Sequence, residues 1–322
     1  MAITLLTPQE SAAAGNKATR AAYGQTLVEL LGEGLDVYAV DADLSGSTTT
    51  AKLGAADPKR LVNVGIAEQN MIDVAAGLSL AGKVVFTGSF AVFGTGRVYD
   101  QIRNTVCYAN LNVKVAPTHA GVSVGPDGGS HQMLEDISLM RGLPNMRVLV
   151  PADYQAARSA IRLAATTPGP FYIRLGRAGV PAVYAQGSQL ELGGSAILRE
   201  GADVTIAACG LEVAQALKAA DALQQEGIEA EVIDMYSIKP LDGATLLESV
   251  RKTGRIVTAE EHSIYGGLGS AVAEFLAQNH PCPQRFVGVK DSFGTSGGID
   301  ELLAKFELDA AAIVAAVKAL CR

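Results

Sequence analysis

Asn63-Val64-Gly65-Ile66-Ala67-Glu68-Gln69-Asn70-Met71 is the stretch whose reading decides the fold. Extended, β-favouring residues Leu61-Val62-Asn63-Val64 meet a glycine and then a helix-compatible run that continues to about Ala81. At helical spacing Glu68 shares a stripe with Ile72, Ala75, Ala76 and Ser79, and that stripe is small and apolar. A carboxylate on an inward stripe is costly unless it is paired, hydrogen-bonded or protonated. Desolvated carboxyl groups hold their protons more tightly, which suits a residue that lends a proton to a bound heterocycle. An acid in a first helical turn also complements the helix dipole with no ligand present, and spacing does not choose between the two readings.

Outward from this unit the chain alternates. A helix is predicted over 12–34 and a strand over 37–44, then, beyond the glutamate unit, a strand over 84–90 and a helix over 95–108. A strand over 113–118, a glycine-rich loop over 120–130, a strand over 148–151, a helix over 153–166 and a strand over 171–175 complete the set. Such alternation with short connections predicts an α/β fold with a parallel, helix-covered sheet. Ligands of such sheets lie beyond the carboxyl ends of the strands. Ser47, Glu68, Phe90, His119 and Arg177 all fall just after predicted strands. The glycine-containing segment 187–202 reads as a linker, which divides the chain into a first domain, 1–186, and a smaller α/β domain, 203–322.

A chain of 322 residues suits two domains. The formal net charge of −7, with no Lys/Arg stripe to displace counterions, argues against nucleic acid as a partner. No apolar run reaches bilayer length, and residues 1–16 lack the basic start and apolar core of a leader, so no membrane association is expected. Cys107, Cys209, Cys282 and Cys321 lie far apart without metal-ligand spacing and read as reduced thiols of a cytoplasmic protein.

Phe90 and Phe93 stand three apart after a strand. Two phenyl rings there suit stacking on a flat heterocycle, worth roughly 0.5–1.5 kcal/mol per aromatic pair beyond burial, although spacing alone favours plain core packing. His119 and His131, two of only four histidines, flank a glycine-rich loop that also holds Asp127. Glycine lets backbone approach a ligand, and imidazoles hydrogen-bond sugar hydroxyls or phosphate, although a solvated turn with a histidine at each end remains open. Arg177 offers a guanidinium fork for an oxyanion, while Ser47 also fits an ordinary turn.

Gly65-Ile66-Ala67-Glu68-Gln69-Asn70-Met71 resembles the glutamate signature of the pyrimidine-binding domain of thiamine-diphosphate enzymes, in the branch holding transketolase and 1-deoxyxylulose-5-phosphate synthase. The resemblance implies that Glu68 hydrogen-bonds N1′ of the aminopyrimidine and relays a proton, that Phe90 and Phe93 form the pyrimidine pocket, and that Asp43 belongs with the cofactor-binding residues. Asp127-Gly128-Gly129-Ser130-His131-Gln132 is similar to the family's Asp-Gly-Pro-Thr-His-Gln. By that likeness His131 contacts the donor near its C1 hydroxyl and carbonyl, and Asp127 reads the C2 hydroxyl of the acceptor. Ser47, His119 and Arg177 match phosphate-binding positions, and His119 favours transketolase over the synthase. Asn16, ahead of Lys17-Ala18-Thr19, stands where the family carries another phosphate-binding arginine, which leaves the substrate anion open as phosphate or another acid. Arg20 lies a turn away.

Residues Glu260-Glu261-His262-Ser263-Ile264-Tyr265-Gly266-Gly267-Leu268-Gly269 resemble the family's C-terminal domain, whereas the family's diphosphate motif, Gly-Asp-Gly with a later asparagine, has no counterpart. The resemblance therefore implies a split enzyme. Thiamine diphosphate would be shared with an N-terminal transketolase subunit that also holds Mg²⁺ or Ca²⁺, in a heterotetramer with two of each chain. The implied reaction moves a two-carbon ketol unit between sugar phosphates. The β-subunit of a 2-oxo-acid dehydrogenase E1 component, a deoxyxylulose-phosphate synthase-like enzyme and a non-catalytic scaffold are the competing readings.

Overall fold

The segment around Glu68 folds as a short strand, Leu61–Asn63, a turn at Gly65 with φ 74°, and the helix Glu68–Leu80. The computed structural model describes residues 3–321; Met1, Ala2 and Arg322, at the outer limits of the two expected domains, lie outside the described residues.

Seven strands form the first sheet, in the order Ser237–Lys239, Arg147–Leu149, Phe171–Ile173, Val113–Val115, Val84–Gly88, Val37–Asp41, Leu61–Asn63. Six are parallel. The edge strand Ser237–Lys239 comes from beyond the linker and pairs antiparallel with Arg147–Leu149. The pleat sends alternate side chains to two cores. Val37, Ala39 and Phe86 pack with the helices Arg20–Gly32 and Tyr154–Thr166, whereas Val40 and Val85 pack with Met71, Ile72 and Ala75 of the glutamate helix. Burial on both faces explains why these strands read as unbroken apolar runs.

The helix expected over 12–34 is two helices, Pro8–Ala14 and Arg20–Gly32. Gly15, at φ 66°, ends the first, and Lys17–Ala18 then bridges antiparallel to Gly179–Val180 before the second begins. The helix expected over 95–108 is Val92–Gly96 followed by Gln101–Cys107, both wound with wide π-type turns.

A second sheet runs Gln284–Val289, Ile256–Ser263, Val204–Ala208, Ala230–Asp234, Ala196–Arg199, parallel except for the last strand. That last strand lies inside 187–202, so the segment read as linker also supplies a sheet edge. Among the described residues no helix is long and apolar enough to cross a membrane.

Candidate active site

Five strands of the first sheet, Val37–Asp41, Leu61–Asn63, Val84–Gly88, Val113–Val115 and Phe171–Ile173, end on one edge, and the side chains singled out in the sequence gather beyond it. Glu68 opens its helix and is 4% exposed. Its charge is met by Arg97, whose Nη1 donates to both carboxylate oxygens at 3.0 Å. The same guanidinium lies 4.3 Å from the centre of the Phe93 ring. Sequence reading did not single out Arg97; its position four residues after Phe93 on a helical stretch was the available signal.

From Phe93 the contacts continue as rings. Phe90 lies parallel to Phe93 with centroids 6.3 Å apart. His131 sets its edge against both, at 5.4 Å from Phe93 and 6.2 Å from Phe90. His119 stacks on Phe90 at 3.8 Å. One face of Phe90 is thus taken by an imidazole, and a face of Phe93 is covered by a guanidinium.

His119 sits in the left-handed region at φ 62° and is buried, with Nδ1 2.7 Å from Thr118 Oγ1. Burial, and then the charges of Arg20, Arg177 and His131, push its pKa down to about 3. It is therefore a neutral hydrogen-bonding ring across the physiological range. Arg20 Nη1 stands 3.4 Å from His119 Nε2 and donates to Ser47 O at 2.7 Å. Ser47 belongs to a short turn organised from below by Asp41, which accepts from Leu44 N, Thr48 Oγ1 and Thr50 Oγ1 at 2.7–2.8 Å. Burial raises the Asp41 pKa above the usual carboxylate value despite these donors.

Arg177 donates to Val124 O and lies 3.4 Å from Asp127. The loop bearing Asp127 and His131 is held by Gln132, whose Nε2 donates to Val122 O, Gly125 O and, in the C-terminal half, Thr295 O at 2.9–3.2 Å. A Cβ on Gly129 would stand 2.5 Å from Gly294 O, so glycine is what lets this loop lie against the second half. Asp43 does not join the chain of contacts: it is exposed, at φ 64°, and accepts from Asn63 Nδ2 at 3.1 Å. Arg174 does not reach the site either. It is buried and forks onto Asp136, with Nε at 2.7 Å.

The donor set fits the pyrimidine end of thiamine diphosphate. Arg97 presents a planar, nitrogen-bearing group that is hydrogen-bonded to Glu68 and laid on Phe93, the two contacts an aminopyrimidine would need. Among the described residues no group of three His, Cys, Asp or Glu side chains is arranged to hold a metal ion.

Fold and site together define a class: a parallel α/β domain with a buried carboxylate, paired phenyls and two imidazoles beyond its strand ends, joined to a second α/β domain. Residues 16–182 match the pyrimidine-binding domain of transketolase and residues 193–313 match the transketolase C-terminal domain. The chain belongs to the transketolase family. It is 46% identical to a protein of Methanocaldococcus jannaschii named as a transketolase C-terminal section, over 92% of this chain and 94% of that one. It is 44% identical to the 6-deoxy-6-sulfo-D-fructose transketolase subunit of a Clostridium species, over 92% of each. A solved split-gene transketolase, described as an inactive β4 tetramer, shares 51% identity with a TM-score of 0.88, over 95% of this chain and 99% of that one.

Proposed function

We propose that this chain is the C-terminal subunit of a two-chain, thiamine-diphosphate-dependent transketolase, moving a two-carbon ketol unit from a ketose to an aldose. The observation that supports it most is the buried Glu68 carboxylate, held by an Arg97 guanidinium that lies on the Phe93 ring, with the His131 edge against the same ring. The likeness to a named C-terminal section and to a split-gene transketolase, each covered almost end to end, supports the subunit role.

When bound, the cofactor supplies the carbanion chemistry that breaks and remakes the carbon–carbon bond. This chain's residues hold and orient. Glu68 would hold a proton at pyrimidine N1′, in the place that the Arg97 guanidinium takes here. Phe90 and Phe93 keep water from the ring. His131 donates a hydrogen bond to the donor's carbonyl and C1 hydroxyl, and Asp127 accepts from the acceptor's C2 hydroxyl. Ser47, His119 and Arg177 receive the far end of the sugar. The partner chain would hold the diphosphate and its divalent cation, in a complex with two copies of each.

The test combines this chain with its N-terminal counterpart, thiamine diphosphate and Mg²⁺, and follows a ketose phosphate and an aldose phosphate. Two-carbon exchange should require both chains. Full turnover by this chain alone would overturn the subunit reading, and consumption of pyruvate instead of ketose would favour the dehydrogenase alternative.

A further inference from the structure

The strand Ile256–Ser263 of the second sheet carries two adjacent acids near its end, and the pleat turns them to opposite sides. Glu260 keeps to its own half, where it accepts from Leu268 N and Gly269 N at 2.7 and 2.8 Å. Glu261 points across the boundary, into the foot of the loop that carries Asp127 and His131. Its Oε1 accepts from Ser123 N at 2.5 Å. Its carboxyl lies so close to Gly121 that a Cβ there would stand 2.2 Å from Glu261 Cδ.

The two feet of the loop are tied together, since Gly121 N donates to Met133 O at 2.9 Å. The far foot is held from the same strand end. Ser263 N donates to Leu134 O at 2.8 Å, and Arg174 Nη2 reaches Glu261 O at 2.9 Å and Met133 O at 3.4 Å. Between the feet, Gly125, Gly128 and Gly129 give the chain no side chains to pack, and Asp127 is exposed. The place of Asp127 is therefore inherited from the feet. Glu261 and Ser123 are both buried, so water is not at hand to replace a lost partner. A buried amide stripped of its acceptor is costly, and a loop this rich in glycine can shed that cost by opening.

We propose that Glu261 is a positioning residue for ketol transfer: from the second half, through Ser123 N and Gly121, it sets where loop 121–132 sits and so where Asp127 and His131 meet the two sugars. The sugars rest on the ketol-transfer reading; the hold of Glu261 on the loop rests on the contacts above.

Three variants of the full chain test it. Glu261→Met fills the space against Gly121 without an acceptor, Glu261→Gln keeps the acceptor, and Glu260→Ala disturbs the same strand end without touching the loop. In the complex with the N-terminal subunit, thiamine diphosphate and Mg²⁺, Glu261→Met should lower kcat/KM for a ketose phosphate by about 10- to 100-fold, the range of an unpaired buried amide. Cofactor affinity should hold, Glu261→Gln should restore most of the loss, and Glu260→Ala should leave KM unchanged. Amide hydrogen exchange in the unpartnered chain gives a readout free of catalysis. Exchange across 121–132 should quicken in Glu261→Met and stay slow in Glu261→Gln, with the first-sheet strands unaltered in both. Thermal unfolding checks that the variants fold. If Glu261→Met does not, Glu261→Asp, one methylene short of Ser123 N, takes its place. Unchanged kcat/KM in an active complex, unchanged loop exchange, or the same losses from Glu260→Ala would overturn the proposal. Quickened loop exchange in a chain whose wild-type complex transfers no ketol unit sinks the ketol-transfer reading and leaves the hold on the loop standing.

Discussion

The two sheets place similar residues at the same edge and use them differently. Beyond the strands of the first lie Glu68, His119 and a glycine-rich loop; at the end of Ile256–Ser263 in the second lie Glu260, Glu261, His262 and the glycines of 266–269. In the second sheet the acceptors turn inward. Glu260 accepts from Leu268 N and Gly269 N at 2.7 and 2.8 Å, fastening the start of the helix Leu268–Asn279. Glu261 accepts from Ser123 N across the boundary between the halves, and its backbone oxygen takes Arg174 Nη2 at 2.9 Å. His262 is fully buried, with Nε2 4.0 Å from Asp136. In the first sheet the corresponding groups lean on movable side chains: Arg97, which holds Glu68, is about half exposed, and Arg20 is only partly buried. Residue type and edge position are shared. What separates a site from a joint is whether backbone donors already satisfy its polar atoms.

Substitution should divide the site from the joints. Glu68→Gln should lower ketol transfer in the two-chain complex by about 10²- to 10⁴-fold, the range of a lost proton-transfer group, with little change in melting temperature. Loss of stability without loss of turnover per folded complex would erase the distinction. Arg174→Met takes its cationic partner from buried Asp136, leaving Tyr172 Oη as a donor, and should cost about 3–5 kcal/mol in denaturant unfolding, with Asp136→Asn in the same chain recovering part of it. Glu260→Ala removes the acceptor for two first-turn amides and should cost about 0.5–2 kcal/mol in the same assay, sparing the chemistry.

The two edges should also differ in pH dependence, with opposite signs. His119 is held neutral in the fold down to about 3, so its contribution is fully present above the ordinary histidine value and is lost as pH falls from there toward 3. Asp234, at the end of a second-sheet strand, accepts from Tyr184 Oη at 2.5 Å and is raised by burial to about 8. Its contribution is present below the ordinary carboxylate value and lost as pH rises through 8. His119→Asn should therefore flatten the acid side of the stability profile and Asp234→Asn the alkaline side, each by at most about 1.4 kcal/mol per pH unit. The same slope change from both variants would contradict the contrast.

Where one side chain's environment is set by its own segment, the sequence was readable. The strand, glycine and helix around Glu68, and the inward stripe of Ile72, Ala75 and Ala76, follow from local pattern. Less was visible where distant segments meet. Nothing local says that Arg97 answers Glu68, or that Lys17–Ala18 pairs with Gly179–Val180 and so sets Arg20 beside Arg177. Nor does the sequence show locally that Arg174 is buried on a carboxylate 38 residues away. Ala196–Arg199 reads as linker because a short antiparallel edge needs little apolar pattern of its own.

The strand Ser237–Lys239 gives the first sheet its outer flank from the far side of the presumed boundary. A gene cut at that boundary would leave Arg147–Leu149 with bare amides and carbonyls, a template for any passing extended chain. Such a fragment is expected to self-associate, and grafting the missing segment back should restore a monodisperse product.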